Sequence, residues 1–171
     1  LEIMRPQLPV TAQAIRNGLA MVELTGRFQI VPGEPVLVLD VAHNPHSVAA
    51  LAANLDAMGF YPCTHAVFGA MADKDLASML QKILPMVDAW YFTDLPTPRA
   101  ASAKDLQQVW QSLSPPSGAT CALFDGPVQA LAQAISSADP TDRIMVFGSF
   151  FTVGAVLANG IDGRLPAYLP T

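Results

Sequence analysis

The segment PVLVLDVAHNP at residues 35–45 constrains the fold more than any other part of the sequence. Its unbroken apolar run, 36–39, indicates a buried strand that ends at the carboxylate Asp40. In open α/β sheets ligands bind at the carboxyl ends of strands, where the next helix presents unpaired N–H groups and the positive end of its dipole. His43 and Asn44 follow at that position. The segment therefore predicts a ligand site after the strand, with Asn44 capping the next helix.

Strands and helices alternate along the rest of the chain. The predicted strands cover residues 28–31, 36–41, 65–68, 89–93, 120–124 and 143–147, and the predicted helices cover residues 11–22, 45–58, 76–84, 102–113, 127–136 and 151–158. Strand–helix–strand steps need right-handed crossovers, which produce a parallel sheet covered by helices on both faces. The sequence therefore predicts an α/β, Rossmann-like, three-layer α/β/α domain. Its sheet is expected to be mostly parallel, with an antiparallel hairpin strand at one edge.

Composition limits the classes of protein to which the chain can belong. Of its 171 residues, 51% are hydrophobic and 13% are charged, which indicates one globular domain with a full core. No apolar run approaches the roughly 20 residues that a membrane span needs. The first residues, LEIMRPQLP, do not have the pattern of a signal peptide, and they read as the middle of a longer protein. We therefore expect no membrane partner.

Charge and cysteine content exclude further kinds of partner and bond. The net charge is −5 and no basic cluster is present, which argues against nucleic acid as a partner. The two cysteines, Cys63 and Cys121, lie far apart, each near the start of a predicted strand. We expect both to be buried free thiols, with no metal ligands in this chain and no disulfide, as in a protein of the reducing cytoplasm.

Four short motifs in one order resemble the C-terminal domain of the folylpolyglutamate synthase and dihydrofolate synthase family, relatives of the Mur peptide ligases. They are LTGRFQIV at 24–31, VLDVAHNPHS at 38–47, GAMADKD at 69–75 and FGSFFTVG at 147–154. The bacterial bifunctional members are the most similar. The resemblance implies that residues 1–24 are a linker and the last helix of a preceding nucleotide-binding domain. It implies a C-terminal domain at 25–158 and an irregular tail at 159–171.

The same resemblance implies an activity. Family members are ATP-dependent ligases that add L-glutamate to dihydropteroate and to reduced folates such as tetrahydrofolate, through an acyl phosphate. ATP and Mg²⁺ are then required, and the present domain would close over ATP and help to bind glutamate. No GxxxxGK[ST] phosphate loop is present in this chain. The resemblance therefore places the phosphate and metal sites mainly on an N-terminal ATPase domain of the same polypeptide, and we expect this chain alone to be inactive.

Three residues match nucleotide-binding positions of the family. Arg27 is implied to contact the nucleotide, because a planar cation can stack on adenine or form paired hydrogen bonds with oxygens. Asp40 is implied to lie against the ribose, although a carboxylate at a strand end often serves only to cap a turn. Asn44 is implied to lie in the same site, and its simpler role is that of a helix cap.

Four further residues are candidates for catalysis or substrate binding. His43 is implied to face the reacting centre, where a neutral imidazole can accept a proton. Ser149 is expected to offer an exposed hydroxyl to the glutamate carboxylate. Lys74 and Arg99 are cations of loops at the same edge of the sheet, and each is alternatively an ordinary solvated side chain.

Two positions depart from the family pattern. Phe151 stands where the bifunctional enzymes often have a histidine, and Thr25 stands where a proline is usual. Phe151 weakens any role for this turn in acid–base catalysis. Two other readings of the sequence stay open: a Mur-type ligase domain that acts on cell-wall precursors, and a non-catalytic binding module of the same fold.

Overall fold

The structure is a computed structural model that describes residues 10–22, 24–161 and 164. Its strands are β1 (Gln29–Val31), β2 (Val36–Asp40), β3 (Thr64–Phe68), β4 (Ala89–Thr93), β5 (Thr120–Phe124) and β6 (Arg143–Phe147). Its α-helices are α1 (Ala12–Met21), α2 (Pro45–Ala57), α3 (Leu76–Ile83), α4 (Ala103–Ser112), α5 (Pro127–Ser137) and α6 (Phe150–Asn159). A short 3₁₀ helix, Leu84–Met86, follows α3.

The six strands form one sheet in the order β1-β2-β6-β3-β4-β5. β1 pairs with β2 in antiparallel fashion, and the other neighbouring strands are parallel. The predicted fold class, a mostly parallel sheet with an antiparallel hairpin strand at one edge, is therefore confirmed. Local periodicity did not reveal that β6, the last strand in the chain, lies between β2 and β3.

Helices cover both faces of this sheet. The side chains of each central strand alternate between two hydrophobic clusters, as the period of a β-strand requires. In β2, Val38 packs with α2, α3 and α4, whereas Leu37 and Leu39 pack with α5 and α6. In β6, Met145 and Ile144 repeat this alternation. Because both faces are buried, the parallel strands read as continuous apolar runs.

The predicted element boundaries agree with the structure to within a residue or two. Thr11 caps α1 by accepting a hydrogen bond from the backbone N–H of Ala14. The predicted helix at 76–84 ends one residue early, at Ile83, and continues as the 3₁₀ turn that contains Pro85. The last helix begins one residue early, at Phe150.

The core continues a little beyond the predicted start of the tail. Ile161 is buried with the α5 and α6 cluster. Arg164 Nη1 donates a hydrogen bond to the carbonyl oxygen of Pro35 at 2.6 Å, which ties this residue to the β1–β2 hairpin. Residues 1–9 and 23 of the predicted first segment, 1–24, and residues 162, 163 and 165–171 of the predicted tail lie outside the described residues.

Candidate functional site

The carboxyl ends of the central strands are level with one another. Asp40 of β2 pairs in register with Phe147 of β6, and Phe147 pairs with Phe68 of β3. The loops that follow these strands therefore begin side by side. Gly148 makes this close approach possible, because a Cβ atom there would lie 2.6 Å from the carbonyl oxygen of Gly69. Its φ of +108° also belongs to the region that favours glycine.

The carboxylate of Asp40 holds together two loops that are distant in sequence. Its Oδ2 accepts the backbone N–H of Phe28 at 2.9 Å, and its Oδ1 accepts the N–H of Ala42 at 2.7 Å. Phe28 has a φ of +43°, a strained value for a bulky residue. The carbonyl oxygen of Gly26 accepts the N–H of Val41 at 2.7 Å, which adds a second tie. Asp40 thus fixes the turn that carries Arg27.

Burial raises the pKa of Asp40 above its ordinary value. The hydrogen bonds from Ala42 and Phe28, and the nearby charge of Arg27, act in the opposite direction by favouring the carboxylate. Each carboxylate oxygen has a second lone pair, so these bonds leave Asp40 able to accept from a ligand. The capping role and a ligand-binding role are therefore compatible in this residue.

Phe150 links Arg27 to His43. The guanidinium carbon of Arg27 lies 5.7 Å from the centre of the Phe150 ring, within the range of a cation–π contact. The ring of His43 lies 5.9 Å from the same ring on a tilted plane. Phe150 is more than half exposed at 57%, so it presents an aromatic surface between the two polar side chains.

His43 has a defined tautomer. Its Nδ1 lies 2.8 Å from the carbonyl oxygen of Val41. A carbonyl can only accept, so Nδ1 carries the proton and Nε2 of the neutral ring is an acceptor. His43 also lines the cavity described below. Its position therefore suits a group that takes or shares a proton at Nε2.

Asn44 caps the helix α2, which is the simpler of the two roles predicted for it. Its Oδ1 accepts the N–H of Ser47 at 2.9 Å, and the Ser47 hydroxyl accepts the N–H of Asn44 at 3.2 Å. This capping box, with Pro45 in the first helical turn, starts α2 immediately after His43.

Ser149 differs from its prediction in one respect. Its side chain is buried, with 4% of the residue exposed, whereas the sequence predicted an exposed hydroxyl. The reason is that Ser149 caps α6, and its Oγ accepts the N–H of Phe151 at 3.1 Å. The hydroxyl proton remains available for donation, and Ser149 lines the same cavity as His43.

Lys74 and Arg99 share one carboxylate. Lys74 Nζ lies 3.3 Å and Arg99 Nη2 lies 3.2 Å from Asp73 Oδ2. These cations and hydrogen bonds lower the pKa of Asp73, the largest effect being the hydrogen bond from Lys74. The pairs are exposed to solvent, so they position the two cations and add little stability.

One cavity of about 210 Å³ brings together four of the seven predicted site residues. Its lining consists of His43, Met71, Lys74, Thr97, Arg99, Gly148, Ser149, Phe150 and Phe151. These residues come from the loops after β2, β3, β4 and β6. Arg27 lies on a second cavity, of about 350 Å³, with Val22, Leu24 and Ile30. Neither cavity is lined by Asp40 or Asn44, which support the loops around them.

Two features of the structure were missed by the sequence analysis. Phe150 was not recognised as a site residue, although its place directly after Ser149 in the fourth motif was a usable signal. The second feature is a cluster at the opposite, amino edge of the sheet, formed by Cys63, His65 and Asp142. Cys63 and Cys121 are both half-buried free thiols, so the expected full burial is wrong for both.

Comparison with known proteins shows the family to which this chain belongs. Residues 26–150 match the family model described as Mur ligase, glutamate ligase domain. That match covers well over half of the chain, and the chain therefore belongs to this family. The expected family relationship is confirmed.

Several individual proteins of known name are similar to this chain. The chain is 39% identical over 158 residues to the dihydrofolate synthase/folylpolyglutamate synthase of Escherichia coli. This alignment covers 92% of the present chain and 35% of the E. coli protein. E. coli FolC in complex with DHPP and ADP is similar in structure, with a TM-score of 0.77, 38% identity and coverage of 85% of this chain and 33% of that chain. A bifunctional folylpolyglutamate synthase/dihydrofolate synthase with Mn, AMPPNP and L-glutamate bound gives a TM-score of 0.78 at 39% identity. It covers 90% of this chain and 36% of that one.

The chain thus spans about a third of the length of the curated relatives that it matches. Within the described residues, no helix is both long enough and apolar enough to cross a membrane.

Proposed function

We propose that this chain is the glutamate-ligase domain of an ATP-dependent ligase that adds L-glutamate to dihydropteroate and to reduced folates. The observation that carries the proposal is the cavity at the carboxyl edge of the sheet, where His43, Lys74, Arg99 and Ser149 converge. Membership of the Mur ligase glutamate ligase domain family and the similarity to enzymes of this name support it.

The proposed enzyme contains a second, N-terminal ATPase domain in the same polypeptide. Residues 25–158 are the proposed C-terminal domain, and residues 1–24 are the proposed link to the domain before it. Three apolar side chains of that link support this division, because Leu19, Val22 and Leu24 are each more than half exposed. Exposed apolar side chains that lie close together are typical of a surface that packs against another protein domain.

ATP fits this chain only in part. Arg27 is an exposed cation beside the aromatic ring of Phe150, and this pair suits a base or ribose. The supported turn around Asp40 would hold Arg27 in place, and Asp40 itself can accept from a ribose hydroxyl. No phosphate loop is present in this chain, so the triphosphate and its Mg²⁺ are assigned to the N-terminal domain.

The proposed reaction forms an amide bond. The γ-phosphoryl group of ATP passes to a substrate carboxylate, which gives an acyl phosphate and ADP. The glutamate amine attacks the acyl carbon, the tetrahedral intermediate collapses, and inorganic phosphate leaves. The chain's own residues would bind and orient glutamate: Ser149 and Arg99 by contact with its carboxylates, and Lys74 by adding positive charge at the rim. His43 Nε2 would accept the proton that the attacking amine loses.

The two free thiols favour the reducing cytoplasm as the location of this reaction. A Mur-type ligase for cell-wall precursors and a non-catalytic module are the competing functions.

The direct test measures glutamate-dependent ADP release by the full-length parent protein with dihydropteroate, with tetrahydrofolate and with a muramyl substrate. We expect turnover with the first two substrates only. Turnover with the muramyl substrate alone would establish a Mur-type ligase that acts on cell-wall precursors. No turnover with any of the three substrates would favour a non-catalytic module.

The proposed role of His43 needs a matched variant. We expect His43→Gln to lower kcat by roughly 10²–10⁴-fold, the range for loss of a general base, and to change the pH dependence of kcat. His46→Gln is the control, because His46 is exposed and does not line the cavity. A normal kcat for His43→Gln would remove the residue from the catalytic step.

A further inference from the structure

A cluster of two buried side chains and one half-buried side chain lies at the amino edge of the sheet, opposite the cavity of the proposed ligase. Cys63 and His65 are two residues apart on the strand β3 and its lead-in, so both point to the same face. Asp142 precedes the neighbouring parallel strand β6 and is brought beside them by the register that pairs Thr64 with Arg143. His65 is thus held in β3, and Cys63 and Asp142 are held directly before the first residues of two paired strands.

The distances within this cluster suit a metal ion. His65 Nε2 and Asp142 Oδ2 are 3.3 Å apart, which is long for a charge-assisted hydrogen bond. Two ligands of a tetrahedral zinc ion, each about 2.0–2.2 Å from the metal, lie about 3.4 Å apart. The ligand atoms of Cys63, His65 and Asp142 all lie within 4.8 Å of one another. In a tetrahedral zinc site the sulfur would lie about 3.6 Å from each of the other two ligand atoms, which is inside that limit.

The surroundings of the cluster favour a cation. His65 Nδ1 lies 3.1 Å from the hydroxyl of Tyr91, and such a contact orients an imidazole whose other nitrogen binds a metal. Burial, and then the negative charges of Asp88, Asp142 and Asp139, raise the pKa of the Cys63 thiol to about 11, so its thiolate forms at neutral pH only with a cation beside it. His65 and Asp142 are buried at 4% and 5% exposure, whereas Cys63 is half-buried and connects the cluster to solvent.

We propose that Cys63, His65 and Asp142 form a binding site for a divalent cation of the zinc class. A thiolate and an imidazole select such a borderline-soft ion over Mg²⁺, which prefers oxygen ligands. On binding, the thiol proton passes to solvent, and the sulfur, Nε2 and one carboxylate oxygen coordinate the ion. The ion would join the amino ends of β3 and β6, and its presence does not depend on the proposed ligase activity.

The test uses Co²⁺ as a spectroscopic probe for zinc. Titration of the reduced 171-residue chain with Co²⁺ is expected to produce a thiolate-to-cobalt charge-transfer band, which Zn²⁺ abolishes by displacement and millimolar Mg²⁺ does not. We expect Cys63→Ser to remove the band, and Asp142→Asn to weaken Co²⁺ binding by about tenfold or more. Cys121→Ser is the matched control, because its thiol lies on the edge strand β5 beside Gln107, and it should leave band and affinity unchanged.

A second measurement needs no variant. Zn²⁺ is expected to slow the modification of Cys63 by a thiol reagent while the rate at Cys121 stays constant, as read by peptide mass spectrometry. Absence of the charge-transfer band, or its loss in Cys121→Ser rather than in Cys63→Ser, would overturn the proposal. Equal rates of Cys63 modification with and without Zn²⁺ would also overturn it and leave a His65–Asp142 hydrogen bond as the role of the cluster.

Discussion

At the scale of the residue, the capping role of Asp40 is compatible with its proposed role in binding the nucleotide. Its carboxylate accepts two backbone N–H groups and so supports the turn that presents Arg27. A capping carboxylate and a ligand-binding carboxylate are usually weighed against each other. Here the capping bonds are the means by which a neighbouring cation is positioned, so loss of Asp40 should act on nucleotide binding through Arg27 as well as directly.

We therefore predict that Asp40→Ala in the full-length parent raises the apparent KM for ATP. A hydrogen bond to a charged group is worth about 1.5–3 kcal/mol, so roughly a ten- to hundredfold increase is expected. Asp40→Asn retains an acceptor for one of the two N–H groups and should give a smaller increase. Steady-state kinetics at saturating glutamate measure both variants, and an unchanged KM for ATP in Asp40→Ala would contradict the assignment.

Ser149 offers a second test at this scale. Ser149→Ala should raise the KM for glutamate about ten- to hundredfold and the KM for ATP much less, because Ser149 lines the cavity and its hydroxyl can still donate a hydrogen bond. The same change also removes the cap of α6, at a cost of about 0.5–2 kcal/mol in the free energy of unfolding.

The control is Ser102→Ala. Ser102 also caps a helix, α4, by accepting the N–H of Asp105, but it does not line the cavity. Ser102→Ala should lower the free energy of unfolding about as much as Ser149→Ala does, as measured by thermal or denaturant unfolding. It should leave the KM for glutamate unchanged. If both variants behave alike, Ser149 is only a cap.

At the scale of the element, the junction of β6 with α6 depends on a single glycine. Gly148→Ala would place a methyl group 2.6 Å from the carbonyl oxygen of Gly69 and against the ring of Phe68. We expect a loss of about 2–4 kcal/mol in the free energy of unfolding, from backbone strain and overpacking together. Gly154→Ala, in α6 with open space around its Cβ position, should instead be neutral or stabilising by about 0.5–1 kcal/mol.

The helix α1 should behave differently from the other helices. Its apolar side chain Leu19 is 68% exposed, so it lacks the roughly 1.5–3 kcal/mol that burial of such a side chain provides. We predict that the amides of α1 exchange with deuterium earliest among the helices of this chain, and that those of α2, whose Val48, Leu51 and Leu55 are buried, exchange much later. Equal protection in the two helices would show that α1 needs no further partner.

At the scale of the whole molecule, the proposed function makes the candidate site one side of a cleft between two domains. In that proposal the cavity and the Arg27 turn contact a base, a ribose and carboxylates, whereas no phosphate loop for the triphosphate is present in this sequence. The 171-residue chain should therefore bind Mg-ATP only in the millimolar range, about −4 kcal/mol, and show no glutamate ligation. Calorimetric titration with Mg-ATP tests this, with the full-length parent as the positive control. Micromolar binding by the chain alone would mean that its nucleotide site is complete.

Much of the architecture followed from the sequence because its signals are local. The apolar run at 36–39 marked β2, and the cap Asn44 marked the start of α2. Each of these signals depends on neighbours within a few residues, so it can be read without knowledge of the fold. Alternation of strands and helices then gave the parallel sheet.

Only the tertiary structure decided which of these elements meet. The insertion of β6 between β2 and β3 brings Ser149 to His43 at one edge of the sheet and Asp142 to His65 at the other. The tertiary structure also buries Ser149 at the start of α6, and the β1–β2 hairpin joins Asp40 to the N–H of Phe28. These contacts link residues far apart in the chain, and they depend on strand order and register, which local periodicity does not encode.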